Sequence, residues 1–178
     1  IIHEQNTIPG TTNKLLSKFA KKSFQAFDDT FDKKVNAITT GNPILFKPKS
    51  KNTPKLVHNL LILGGSLGAK KINETVVKIK TPLNIWHQTG AKHIEEVKDM
   101  YAKDIHSSLK IEEFIEDMAE AYAWADIVIC RSGAMTVSEL IATNTLAILV
   151  PFPYAVDNHQ TMNAQYLSKN GAGILIEE

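Results

Sequence analysis

From residue 55 onward, short apolar runs alternate with amphipathic, helix-like stretches, and this alternation restricts the fold more than any other feature. Leu56 to Leu63, Leu83 to His87, Lys110 to Ile115, Ile127 to Cys130, Leu146 to Val150 and Gly173 to Ile176 read as strands. A helix from about Ala69 to Ile79 carries Ile72, Val76 and Ile79 on one side, and a polar helix reaches about Tyr101. Asp117 to Trp124 reads as a short Ala-rich helix, Arg131-Ser132-Gly133-Ala134 turns into a helix ending near Ala142, and His159 to Lys169 is stopped by Asn170-Gly171. Strand and helix in such regular succession build an α/β fold with a mostly parallel, doubly wound sheet.

Residues 1–45 follow a different pattern. A strand end at Ile1-Ile2 leads into His3-Glu4-Gln5-Asn6 and a loop with Pro9-Gly10. The spacing predicts a helix over Asn13 to Phe27, with Leu15, Leu16, Phe19, Ala20 and Phe24 packed inward and Lys14, Lys18, Lys21 and Lys22 on the opposite face. A short extended segment ends at Gly41-Asn42-Pro43. Two prolines and three lysines between Phe46 and Pro54 mark a linker. The expected organisation is therefore the tail of one domain (1–45), a linker (46–54) and most of another domain (55–178). The chain starts without Met and as though in mid-strand, so it reads as a fragment. No signal peptide is recognisable at Ile1-Ile2-His3-Glu4.

Charge and composition exclude some functions. A net charge of +1 over 178 residues points away from nucleic acid. The single cysteine, Cys130, allows no intrachain disulfide, and the apolar runs are too short to span a bilayer. Neither His3 nor His87 has metal-ligand spacing with another His or Cys, so no zinc site is expected, and nothing in the sequence calls for a cofactor.

The chemistry concentrates at strand-to-helix turns. Gly64-Gly65-Ser66-Leu67-Gly68-Ala69 offers glycines for close backbone approach before a helix start that can meet an anion. A tight turn needing no ligand fits equally well, and the dinucleotide fingerprint is missing its second and third glycines. Arg131 through Glu139 form a second such turn, with the N–H groups near Ala134, Met135 and Thr136 suited to a diphosphate and Glu139 suited to ribose hydroxyls. Thr136-x-x-Glu139 also matches a capping box, the bland alternative. Asp157-Asn158-His159-Gln160 opens another helix, where amides suit sugar hydroxyls but Asp157 or Asn158 can simply cap it. His3, Glu4 and His87 sit at strand ends, where they line a site or make only local hydrogen bonds. Two anion-ready turns at strand carboxyl ends of one sheet favour a nucleotide-diphosphate site. The lysine face can also attract anionic lipid headgroups.

Taken in order, these segments resemble one family. They are His3-Glu4-Gln5-Asn6, Gly41-Asn42-Pro43, Gly64-Gly65-Ser66-x-Gly68-Ala69, Trp86-His87-Gln88-Thr89-Gly90, Phe114 to Met118, Ala121 to Asp126, Cys130 through Glu139, and Val150-Pro151-Phe152 with Asp157 to Ala164. The chain resembles the UDP-N-acetylglucosamine:undecaprenyl-pyrophosphoryl-muramylpentapeptide N-acetylglucosaminyltransferases over nearly its whole length. That resemblance implies a GT-B fold, two Rossmann-like domains facing across a cleft, with the second domain holding UDP-GlcNAc. It implies Ser66, Ala134, Met135 and Thr136 near the diphosphate, with Val137 and Ser138 in the same donor-binding stretch, and Glu139 on the ribose. It further implies the Ile115 backbone on uracil, and Asn6, His159 and Gln160 on the sugar.

The acceptor implied is an undecaprenyl-linked muramyl-pentapeptide, the reaction is inverting transfer to its C4 hydroxyl, and no metal is called for. The implied location is the cytoplasmic face of the bacterial inner membrane, held peripherally at an anionic surface. Two departures stand out. Leu45 occupies a position where the family usually has arginine, and the first-domain loop bearing the proposed general base has no counterpart here. The chain as given is accordingly expected to bind donor without turnover. A related GT-B transferase with another acceptor, a non-catalytic UDP-sugar-binding subunit and a UDP-GlcNAc 2-epimerase are the alternatives.

Overall fold

The computed structural model describes residues 1–49, 51–52, 54–65, 68–101, 106–155 and 158–178. Two parallel sheets organise them. The first has three strands in the order β1-β2-β3, formed by β1 (Ile2–Glu4), β2 (Ser23–Gln25) and β3 (Ile38–Thr39). The second has six: β4 (Asn59–Leu63), β5 (Asn84–Gln88), β6 (Ser108–Glu112), β7 (Ile127–Cys130), β8 (Leu146–Leu149) and β9 (Gly173–Leu175). Their order is β6-β5-β4-β7-β8-β9, every pairing parallel.

That order makes β4 the strand at which the winding reverses. The chain builds outward through β5 and β6, then returns to β7 on the other side of β4, with Leu63 level with Cys130. The connections leaving the carboxyl ends of β4 and β7 therefore diverge, and a crevice opens between them.

Alternation along β4 explains why its residues are nearly all apolar. Leu61 and Leu63 join one core with Val128, Cys130, Ala147 and Leu149 beneath α4 (Met118–Trp124), α5 (Ala134–Thr143) and α6 (His159–Lys169). Leu60 and Ile62 face the other way, into a second core with Ile85 and residues from α2 (Lys70–Val76) and α3 (Ile94–Met100). A strand buried on both faces reads as a continuous apolar run. On the α2 side, Ile129, Ile148, Val150 and Ile176 line an open apolar groove of about 290 Å³.

The N-terminal segment departs from expectation. No helix spans Asn13 to Phe27: α1 covers only Thr11–Leu16, and the chain then turns and enters β2. Leu15, Leu16 and Phe19 are exposed rather than packed inward, Phe19 at 79%, and the lysines do not share one helix face. Parallel pairing overrides helix propensity here, because β2 is the central strand that joins His3 to Phe24 and Phe24 to Ile38. Ser23 and Gln25 bury on β2 in a period of two, a pattern the helical spacing concealed. The strand expected from Leu56 starts at Asn59, leaving Leu56 exposed, and the strand expected from Lys110 runs over Ser108–Glu112.

Candidate functional site

The crevice at the strand reversal is lined by chemically distinct groups. One depression of about 190 Å³ is bounded by Leu63 and Gly65 at the end of β4, Cys130 and Arg131 at the end of β7, and Thr136 and Glu139 on α5. Phe114, Met118 and Glu139 also border an adjoining depression of about 500 Å³, walled by Leu45, Phe46, Ile115 and Asp117. The groove on the α2 side is mainly apolar, with Lys71, Thr75, Glu177 and Glu178 at its border, and it does not lie at the strand reversal, so the crevice is the better candidate.

Helix α5 starts at Ala134 directly behind Gly133, which sits at φ −61°. That backbone angle does not require glycine, and a Cβ there would make only ordinary contact with Thr136. What the glycine leaves open is space at the helix start. Val137 N–H donates back to Gly133 at 3.0 Å, so the preceding helix N–H groups, at Ala134, Met135 and Thr136, lie ahead of the first intrahelical bond. The capping box is excluded: Gly133, not Thr136, is the N-cap, and the Glu139 carboxylate accepts a 2.9 Å hydrogen bond from the Tyr122 hydroxyl. Burial raises the Glu139 pKa above the ordinary carboxylate value, while the Tyr122 bond acts in the opposite direction.

The other expected site residues are placed as follows. Ile115 buries its side chain in the core while bordering the larger depression. Val137 is wholly buried in the core, and the Ser138 hydroxyl donates to Ala134 O and accepts from Asn42 Nδ2, so neither side chain joins Thr136 and Glu139 at the crevice. Gln160 accepts a hydrogen bond from Phe152 N, and its carbonyl accepts one from Ser132 Oγ, which fixes the Pro-rich loop beside the start of α6. His159 is the first residue of that helix. Asn158 occupies the N-cap position of that helix in a left-handed conformation, but its side chain makes no capping hydrogen bond. Ser66 and Asp157 lie outside the described residues. Leu45, 94% exposed, forms the rim where the resemblance implied arginine.

Asn6 is held between β1 and helix α6. Its Nδ2 donates to Glu4 Oε1, and its Oδ1 accepts from Asn163 Nδ2. Glu4 is the organiser of this turn, accepting also from Asn6 N, Gly10 N and Asn13 Nδ2. Burial raises its pKa, but these hydrogen bonds outweigh that effect and hold it below the ordinary value. His87 lies elsewhere. It is wholly buried, with Nε2 3.0 Å from Asn73 Oδ1 and Nδ1 3.2 Å from the Tyr101 hydroxyl, in the core behind α2 and α3.

Residues 59–178 match the glycosyltransferase family 28 C-terminal domain. The chain belongs to glycosyltransferase family 28. Over its full length it is 59% identical to the UDP-N-acetylglucosamine--N-acetylmuramyl-(pentapeptide) pyrophosphoryl-undecaprenol N-acetylglucosamine transferase of Vesicomyosocius okutanii, covering 51% of that protein. The protein of the same name from Methylococcus capsulatus is 47% identical, with 52% covered. The crystal structure of Acinetobacter baumannii MurG superposes with a TM-score of 0.85 at 39% identity, over 99% of this chain and 52% of that one. The chain thus spans about half the length of the relatives it matches, and its fold is that of the GT-B glycosyltransferases.

Within this family 28 chain, four residues of the quoted motifs have structural roles that their spacing did not reveal. Tyr122 anchors Glu139 from a neighbouring helix. Asn163 on α6 bonds to Asn6, and Asn42 bonds to both Ser138 on α5 and Gln5 O, tying these helices to the segment after β1. Arg131 holds the Pro-rich loop through Val150 O and Pro151 O and also pairs with Glu178, beyond β9, at 2.5 Å. All four roles depend on partners distant in sequence, and no local pattern announces them.

Proposed function

We propose that this chain is the donor-binding half of an inverting glycosyltransferase that moves GlcNAc from UDP-GlcNAc to the C4 hydroxyl of an undecaprenyl-linked muramyl-pentapeptide. The observation that carries this reading is the crevice between the ends of β4 and β7, where the start of α5 and the Glu139 carboxylate border one depression. An α-helix start favours anions, and a carboxylate accepts hydrogen bonds from ribose hydroxyls. In the proposed pose the diphosphate lies on the N–H groups of Ala134, Met135 and Thr136. Glu139 takes the ribose, the Ile115 backbone meets uracil, and His159, Gln160 and Asn6 meet the sugar. As the acceptor hydroxyl loses its proton to a base and its oxygen attacks the anomeric carbon, the bond to UDP breaks and negative charge grows on the leaving diphosphate. Donors already aimed at that position stabilise it without rearrangement.

The substrates named by the relatives support the choice of donor and acceptor. We assign residues 1–45 to the end of an acceptor-side domain, 46–54 to a linker and 55–178 to the donor domain. Exposed Leu15, Leu16 and Phe19 beside Lys14, Lys18, Lys21 and Lys22 suit peripheral attachment to an anionic membrane surface, here placed at the cytoplasmic face. Among the described residues no helix is long and apolar enough to cross a membrane. Retention by anionic but not neutral vesicles, lost on joint Phe19→Ser and Lys18→Glu substitution, is the expected behaviour of that patch; equal retention of the variant contradicts it.

The donor pose is tested by mapping amide NMR shifts during titration with UDP-GlcNAc. Changes should concentrate at Ile115, Ala134 to Thr136, Glu139 and the start of α6. Changes confined to the groove lined by Ile129 and Ile148 would contradict it.

A further inference from the structure

We propose that Tyr122 is a positioning residue for the donor ribose, fixing Glu139 so that its second carboxylate oxygen is presented to the crevice. This inference rests on the donor-site reading above and adds a residue to it.

Tyr122 lies on α4 and is wholly buried, yet it borders the same depression as Glu139. Its hydroxyl donates to Glu139 Oε2 at 2.9 Å, across two helices and 17 residues of sequence. A carboxylate offers about four acceptor directions on its two oxygens. The phenol takes one of them on Oε2 and leaves Oε1 available to ligand hydroxyls. Burial keeps the phenol protonated far above neutral pH, so toward this carboxylate it acts as a donor.

The ring itself is immobilised. Phe46 stacks on it with centroids 6.0 Å apart and an interplanar angle of 26°, and the Lys51 ammonium donates to the carbonyls of Tyr122 and Ala125 at the end of α4. A free glutamate samples many rotamers, and ordering it on ligand binding costs entropy. Here the Tyr122 hydrogen bond holds one carboxylate oxygen before any ligand arrives. The linker residues that grip α4 thereby set the position of the ribose acceptor as well.

A phenol that merely satisfied its own hydrogen bond would stabilise the fold without discriminating among ligands. The test therefore compares two ligands. The 178-residue chain and its Tyr122→Phe variant are titrated with UDP-GlcNAc and with its 2′,3′-dideoxyribose counterpart. The wild-type chain should bind the dideoxy compound ~10-fold or more weakly, since hydrogen bonds to a charged group are lost. In Tyr122→Phe that ratio should fall to ~3-fold or less, with dideoxy affinity nearly unchanged. Replacing Tyr122 by 3-fluorotyrosine keeps the ring in place and alters the donor strength, so the ratio should move there too. An equal loss for both ligands, or an unchanged ratio in both variants, overturns the positioning role while leaving the donor site standing. Failure of the folded wild-type chain to bind either ligand overturns the donor reading, and this inference with it.

Discussion

The Asn163 carboxamide oxygen accepts two hydrogen bonds from Thr7, one from its backbone N–H and one from its hydroxyl, each 3.0 Å long. The amide nitrogen donates to Asn6 Oδ1 and Ser132 O, so every hydrogen-bonding position of this wholly buried side chain is used. One amide thus links the loop after β1, the turn after β7 and helix α6. Asn163→Asp keeps the shape but turns the donor into a carboxylate facing two oxygens. A stability loss of ~3 kcal/mol or more in urea unfolding is expected, and ~2–4 kcal/mol for Asn163→Ala, because several buried groups lose partners. A loss below ~1 kcal/mol for both would contradict this account of the junction.

His87 makes the fold acid-sensitive. Burial lowers its pKa to about 4 from 6.5. Between those values the folded chain binds fewer protons than the unfolded chain. Its contribution is therefore complete above pH 6.5 and is lost as pH falls through about 4. The shift corresponds to ~3 kcal/mol across that window. Glu4, held below 4.5, adds a loss only at lower pH. His87→Gln should flatten the pH dependence of unfolding free energy between pH 6.5 and 4; an unchanged slope would contradict the assignment.

Two glycines of the loop after β4 should respond unequally to alanine. Gly65 and Gly68 both have positive φ, +74° and +78°, but a Cβ at Gly65 meets nothing within 4 Å. At Gly68 it would lie 2.5 Å from Thr89 O and 2.6 Å from His93 Cδ2. Gly65→Ala should cost ~1–2 kcal/mol from backbone strain alone. Gly68→Ala should cost roughly 2–4 kcal/mol, since Thr89 belongs to the segment leaving the central sheet and its carbonyl has little freedom to move. Melting temperatures of the two variants in the opposite order would contradict this.

The larger sheet was legible because both of its faces are covered along β4 and β5. Leu60 to Leu63 must all be apolar when alternate residues enter different cores. The crevice was legible in outline, since glycines and polar residues interrupt the pattern where β4 and β7 end. Two features were not. Residues 13–27 carry helix-compatible spacing, and only the distant partners His3 and Ile38 make Phe24 a strand residue. Thr136-x-x-Glu139 matches a capping pattern, but helix α5 begins at Ala134 and Glu139 turns to Tyr122. In both cases a non-local partner decides between local alternatives, and sequence spacing carries no information about that partner.

The crevice between β4 and β7 is proposed to bind UDP-GlcNAc with Glu139 as a ligand. Calorimetric titration of the 178-residue chain with UDP-GlcNAc and UDP-glucose, repeated with Glu139→Ala, tests it most directly. Saturable binding that prefers UDP-GlcNAc, weakened ~10-fold or more by the substitution at unchanged melting temperature, is the predicted result. Absence of binding by the folded chain, or equal affinity in Glu139→Ala, would contradict it.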